Sequence, residues 1–211
     1  MRHDASIIQA AIKHLRRNDP ILDKLIGEIG AFDLRLERNA FRMLVRSIIS
    51  QQISTAAARS IRARLEALLA PAKITAEGIA ALSLAQLRSV GLSSQKAGYL
   101  FDLSRKVSQK EVALHRFRKM SDEEVIAELI KVKGIGVWTA QMYLIFSAGR
   151  LDVFPHGDLG IRSAMRKLYG LAEMPSKTEG EQIAKAWRPY SSIASWYCWR
   201  SLDSTLKTPK T

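Results

Sequence analysis

Residues 121–142 read SDEEVIAELIKVKGIGVWTAQM, and the architecture follows from how this stretch is parsed. Ser121 with Glu124 three places later is a capping box, which opens a helix by satisfying two orphan backbone amides. Val125, Ile126, Leu129 and Ile130 then fall on one apolar stripe, and the helix is predicted to run to about Lys133. A second helix is predicted from about Val137. Two helices joined by Gly134-Ile135-Gly136 make a helix–hairpin–helix. Glycine adopts positive φ freely and leaves room for another backbone to approach, while Ile135 can turn inward and pin the turn. The amides from Gly136 to Trp138 start the second helix, where orphan N–H groups and the dipole suit an anion. Lys131 and Lys133 add positive charge. A DNA phosphate fits this turn, with Lys133, Gly134, Gly136, Val137 and Thr139 as the candidate contacts. Backbone amides carry no base information, so such binding is independent of sequence. A tight turn between packed helices is the plainer alternative.

The rest of the chain is also helical in pattern. Residues 6–17 put Ile7, Ile8, Ala11, Ile12 and Leu15 on one face. Asn18-Asp19-Pro20 ends that helix, and Pro20 suits the first turn of the next. Phe41, Leu44, Val45, Ile48 and Ile49 mark a helix over 40–50. Ser54 or Thr55 caps another, with Ile61, Leu65 and Leu68 inside, stopped at Pro71. In LSLAQLRSVGLSSQKAGYL (82–100), Gly91 takes a left-handed position between two helices, and Ser93 or Ser94 caps the second. The last helices are expected over about 159–169 and 178–202, followed by a fraying tail, TLKTPKT. Only LDVF (151–154) reads as extended. The fold class is therefore all-α. The expected division is 1–40 plus 159–211 as a terminal lobe, and 41–158 as a central lobe carrying the hairpin.

The 211 residues include 33 Lys+Arg against 20 Asp+Glu, a net charge of +13 that points to a polyanion, most commonly nucleic acid. No apolar run approaches the ~20 residues that span a membrane, and the start lacks a signal-peptide layout. Cys198 stands alone, which excludes an intramolecular disulfide and any cysteine-only metal or iron–sulfur site. A reduced, cytoplasmic setting is expected, nucleoid-associated if the source is bacterial.

About twenty residues past the hairpin comes LDVFPHGDLGIRSAMRKLYG (151–170). Asp158 opens an amphipathic helix with Leu159, Ile161, Ala164, Met165 and Leu168 as its apolar set, and Pro155 and Gly157 shape the turn before it. Capping is one job for this aspartate. The other is catalytic: breaking an N-glycosidic bond builds positive charge on the sugar, which a carboxylate stabilises while orienting water. The residues alone leave both open.

VKGIGVWTAQM followed by DVFPHGDLGIR resembles the helix–hairpin–helix DNA glycosylase superfamily, in its 3-methyladenine DNA glycosylase II branch. SIISQQISTAAARSIRARL resembles the family's early helix pair, LRSVGLSSQKAGYL its middle hairpin, and AWRPYSSIASWYCWR its C-terminal helix; the four segments keep the family's order. The resemblance implies two helical lobes flanking a DNA-binding cleft, and excision of alkylated bases of the 3-methyladenine and 7-methylguanine type from duplex DNA. It implies Asp158 as the catalytic carboxylate, and Gln52 as the wedge that enters the duplex when a base is swung out, with Ile53 second and Gln51 supporting the loop. Trp138, Trp199 and Met142 correspond to the base pocket, Met142 standing where the family can have tyrosine; Trp196, Tyr190, Tyr143 and Trp187 are further aromatics nearby. Lyase-active relatives carry a lysine where this chain has Trp138, so hydrolysis without strand cleavage is expected. Ser191 replaces an arginine of the C-terminal motif, which puts one helix anchor or phosphate contact in doubt. The chain leaves no room for the N-terminal β-domain of some relatives. His156 reads as an exposed turn residue. No cofactor and no side-chain metal site are expected, though hairpin carbonyls can hold a monovalent cation. The expected partner is damaged double-stranded DNA, with no membrane, and the chain is expected to act as a monomer.

Overall fold

The computed structural model describes residues 3–203; the tail predicted to fray lies outside them. In chain order the helices are α1 (Ala5–Asn18), α2 (Pro20–Ile29), α3 (Ala40–Ser50), α4 (Thr55–Leu69), α5 (Ala76–Ala80), α6 (Leu84–Ser89), α7 (Ser94–Ser108), α8 (Asp122–Leu129), α9 (Val137–Tyr143), α10 (Leu159–Leu168), α11 (Lys177–Ala184) and α12 (Ser191–Arg200). Short 3-10 turns occupy Leu114–Lys119 and Lys185–Trp187, and α9 runs on into a wider π turn at Leu144–Ala148. There is no strand among the described residues. LDVF is irregular instead. It is pinned by the first turn of α12: the Ser192 amide donates to Leu151 O (2.9 Å), and the Val153 amide to Ser192 Oγ (2.9 Å).

The helix starts obey local chemistry. Asp19, Ser54, Ser93, Ser121 and Asp158 each accept a backbone amide at the beginning of a helix, each such cap stabilising its helix by about 1 kcal/mol. Two predicted helices differ from what forms. The one opened by Ser121 ends at Leu129, not Lys133, because the chain tightens into i→i−3 bonds (Val132 N to Leu129 O, 3.1 Å) before Gly134 turns left-handed at φ 80°. Ile130, placed on the apolar stripe from periodicity, is thereby 48% exposed. The helix predicted over 178–202 is two helices, because Pro189 has no N–H to continue the ladder. Leu68 and Leu159 also point outward, Leu159 being 65% exposed at the first position of α10.

The chain forms two compact units, residues 1–36 with 144–211, and residues 37–143. Segment 144–158 thus packs with the terminal helices, and Asp158 belongs to that unit. The first unit is built on α1, α2, α10, α11 and α12 around Leu15, Leu22, Ile161, Met165, Trp187 and Tyr197, all buried. Inside it, Asp19 caps α2 through Oδ1 and accepts Trp187 Nε1 (3.0 Å) and the Tyr169 hydroxyl through Oδ2. This knot ties helices some 150 positions apart. Burial, with Asp19 beside it, lifts the Tyr169 hydroxyl far above its ordinary value. Burial and the same aspartate push the Cys198 thiol up to about 12, so the lone cysteine is an inert core residue.

In the second unit α3, α5 and α6 pack on α7, α4 and α9 pack on α3, and α8 packs on α9, with Leu44, Ile48, Leu65, Leu87, Leu100 and Leu103 fully buried. Each such leucine contributes roughly 1.5–3 kcal/mol by leaving water.

Candidate functional site

In the second unit the hairpin forms as a surface turn. Ile135 is buried, and its amide donates to Val132 O (3.1 Å), so it pins the turn from inside. The two glycines answer to different constraints. A Cβ on Gly134 would sit 2.0 Å from the Tyr99 ring, at a left-handed φ; both the packing and the backbone conformation require glycine there. A Cβ on Gly136 would meet nothing within 4 Å. Packing therefore gives no reason for the second glycine, and its open side is where a ligand's backbone could approach.

Lys133, Gly136 and Val137 are exposed along the turn, and Trp138 is 44% exposed, unusual for so large an apolar side chain. Thr139, by contrast, is 3% exposed and faces the interior, and Met142 is buried with it. The Lys133 amide donates to Asp102 Oδ2 (2.9 Å), and two hairpin carbonyls, those of Lys131 and Gly134, accept from Lys106 Nζ and Gln51 Nε2. Against the cost of burial, the Lys133 amide, Lys106 and Arg105 hold the Asp102 carboxyl below its usual range.

At the end of α3, Gln51 is turned into the unit and its Nε2 reaches Gly134 O at 2.9 Å, the loop-supporting role expected of it. Gln52 and Ile53 are exposed. Gln52 sits at φ 55°, a left-handed conformation that few non-glycine residues adopt and that costs of order 1–3 kcal/mol. Gln52 thus stands exposed next to Gln51, which ties the turn to the hairpin.

The first unit holds the carboxylate. Val153 and Pro155 are buried in the approach, and the Asp158 amide closes the turn on Pro155 O (2.9 Å). Asp158 Oδ1 accepts the Ile161 amide (2.8 Å) and also Trp199 Nε1 (2.8 Å). Capping and positioning are therefore done by one oxygen with two donors, and the residue keeps 9% exposure. Trp199, a pocket aromatic in the sequence reading, is thus also the orienter of Asp158, and its ring leans on Phe146 (5.4 Å between centroids). Gly160 makes the pairing possible: a Cβ there would stand 3.2 Å from Trp199 Cδ1 and 3.0 Å from Asp158 Oδ1. Sequence reading passed over Gly160, whose only signal was its place in the Asp-Leu-Gly run.

The other aromatics sort differently. Trp187 is fully buried in the Asp19 knot, and Tyr143 packs on Phe117 in the second unit. Trp196 sits against Phe32 and Tyr197 and under Arg200, and Tyr190 against His14, so both belong to the terminal helices' own packing. His156 is half-buried in the turn. Ser191, which stands where the family has an arginine, donates its hydroxyl to Asp152 Oδ1 (2.6 Å), and Arg188 Nε donates to Asp152 Oδ2 (2.9 Å). Among the described residues no group of three or more His, Cys, Asp or Glu side chains is placed to hold a metal.

Residues 45–189 match the family described as HhH-GPD superfamily base excision DNA repair protein. The chain is 31% identical over 186 residues to the DNA-3-methyladenine glycosylase 1 of Schizosaccharomyces pombe, covering 85% of this chain and 80% of that one. Its fold matches that of the S. pombe 3-methyladenine DNA glycosylase in complex with abasic DNA, with a TM-score of 0.85, 28% identity, and coverage of 95% and 100%. It also matches a DNA-3-methyladenine glycosidase from Bacillus halodurans, with a TM-score of 0.83, 33% identity, and coverage of 92% and 90%.

Proposed function

The chain belongs to the HhH-GPD superfamily of base excision DNA repair proteins and is a DNA glycosylase of its 3-methyladenine branch, and from that premise we propose that it hydrolyses the N-glycosidic bond of alkylated bases, of the 3-methyladenine and 7-methylguanine type, in duplex DNA. The hairpin of Lys133, Gly134, Gly136 and Val137 grips a phosphate without reading sequence. The target nucleotide is swung out of the stack at a cost of roughly a few kcal/mol, and Gln52, with Ile53, fills the gap. Trp138, Trp199 and Met142 serve the displaced base. Alkylation at a ring nitrogen leaves that base cationic, which makes it a good leaving group and draws it to an aromatic face.

Asp158 then carries the reaction. As the base departs with the bonding electrons, positive charge grows on the sugar; the carboxylate stabilises it and orients the water that adds to C1′. The observation that carries this reading is the double hold on Asp158 Oδ1 by the Ile161 amide and the Trp199 indole. Asp19 holds the same pair of donors in a core knot; Asp158 differs in standing in the Asp-Leu-Gly run where the resemblance places the catalytic carboxylate. Trp138 at the lysine slot supports hydrolysis without strand cleavage, and borohydride should trap no enzyme–DNA adduct. We further propose that the enzyme acts as a monomer on DNA in the cytoplasm, without cofactor.

Asp158→Asn keeps a good capping residue, so the fold should survive while base release does not. Release of free 7-methylguanine from methylated duplex DNA should fall by about a thousandfold or more, with DNA retention unchanged in a gel-shift assay. Release at the wild-type rate would refute the assignment.

A further inference from the structure

The turn at residues 51–53 and the hairpin are separated by some 83 positions, yet both rest on one side of α7. Residues 96, 99, 102 and 106 recur at helical spacing and so share a face. Lys96 Nζ donates to Ile49 O (2.8 Å) and to Gln51 O, at the end of α3. Tyr99 lies under Gly134. Asp102 takes the Lys133 amide, and Lys106 both pairs with Asp102 (3.1 Å) and donates to Lys131 O. The Gln51 amide closes the circuit on Gly134 O.

This face is a jig for two backbone segments. An ammonium suits the negative end of a helix, and Lys96 meets the last carbonyls of α3 at the point where the chain enters the left-handed residue Gln52. Ordinary C-terminal caps are glycine or water; a lysine reaching there from another helix also fixes the direction in which the next residues leave. Burial pulls the Lys96 ammonium below the ordinary lysine value, a cost that a surface lysine would avoid.

We propose that Lys96 is a positioning residue for base displacement: with Gln51 it locks the turn carrying Gln52 to the phosphate-gripping hairpin, so that grip and wedge act as one rigid part. This rests on Gln52 being the wedge. Because hairpin and wedge then move together, binding a phosphate fixes how deeply Gln52 enters the duplex.

The test is a set of four variants, Lys96→Met, Lys96→Arg, Gln52→Ala and the double Lys96→Met/Gln52→Ala. Each is measured for single-turnover release of 7-methylguanine and for affinity to undamaged duplex. Wedge insertion is read from the fluorescence of 2-aminopurine placed opposite an abasic-site analogue. Lys96→Met should slow release about 10- to 100-fold and weaken the 2-aminopurine response, with affinity for undamaged duplex unchanged. Lys96→Arg, which still donates to both carbonyls, should recover most of the rate. The double variant should be no slower than Gln52→Ala, because Lys96 acts through Gln52. Wild-type release by Lys96→Met, or losses that multiply in the double variant, would overturn the inference. A silent Gln52→Ala would remove the wedge reading itself, whereas a slow Gln52→Ala beside a silent Lys96→Met removes only the role of Lys96. If Lys96→Met fails to fold, Gln51→Leu cuts the tie to Gly134 from the other side: slow release supports the lock, and wild-type release contradicts it.

Discussion

The hairpin of the second unit and the Asp158 turn of the first are both helix starts, and they are built in opposite ways. The hairpin offers backbone on an open surface: Gly136 has no side chain to interfere, and Lys133 and Val137 are exposed around it. The Asp158 turn offers one carboxylate, nearly buried and held by an indole from another helix. A surface of amides can grip any phosphate but cannot stabilise a cationic sugar. A fixed carboxylate can do that, yet would repel DNA if it stood exposed on the surface. On the proposed function, grip falls to one unit and chemistry to the other.

Removing only the indole N–H should sharpen that division most. Trp199→Phe keeps the ring and its Phe146 neighbour and loses the donor to Asp158. Since a hydrogen bond to a charged group is worth about 1.5–3 kcal/mol, base release should slow roughly 10- to 100-fold, with binding to methylated duplex unchanged. A Phe variant that releases base at the normal rate would show that the bond does not orient Asp158.

The two glycines break the comparison from the other side. Gly134→Ala drives a Cβ into Tyr99 at positive φ, and should lower thermal stability by about 1–3 kcal/mol. Gly136→Ala meets nothing in the protein and should leave the melting temperature alone. Its loss should appear in DNA affinity, about tenfold, with a shallower dependence on salt if one phosphate contact goes. Equal losses of stability in both variants would reduce the hairpin to a packing turn.

A smaller effect separates the units by pH. The Cys198 thiol is pushed up to about 12 by burial and Asp19, and the Tyr197 hydroxyl up to about 12 by burial. Both belong to the first unit. Raised values mean that the stability these groups contribute is complete below their unfolded values, near 8.5 and 10, and is lost as pH climbs from there towards 12. Urea unfolding of the whole protein should weaken by about 1–2 kcal/mol between pH 8 and 10, and Cys198→Ala should flatten that slope. Iodoacetamide should label Cys198 only after unfolding.

What was legible in the sequence was short-range. Caps at Ser121 and Asp158, the left-handed Gly91 and the inward Ile135 each depend on neighbours within a few residues, and all form as read. Periodicity overreached where helix ends are set by geometry, as at Ile130, or by a missing amide, as at Pro189. The site's second half was not legible, because it consists of pairings across the fold. Trp199 finds Asp158 from 41 positions away, Lys96 finds Gln51 from 45, and Tyr169 finds Asp19 from 150. Gly160 carries no chemistry of its own, and the close approach of Asp158 Oδ1 and Trp199 explains it.

The most direct test of the division between grip and chemistry is a crossed measurement of Asp158→Asn and Gly136→Ala, each assayed for single-turnover release of 7-methylguanine at saturating enzyme and for affinity to the same duplex. The account predicts that Asp158→Asn loses release and keeps affinity, while Gly136→Ala loses affinity and keeps release once bound. If Asp158→Asn weakened binding while bound DNA still lost its base at the normal rate, the account would be wrong.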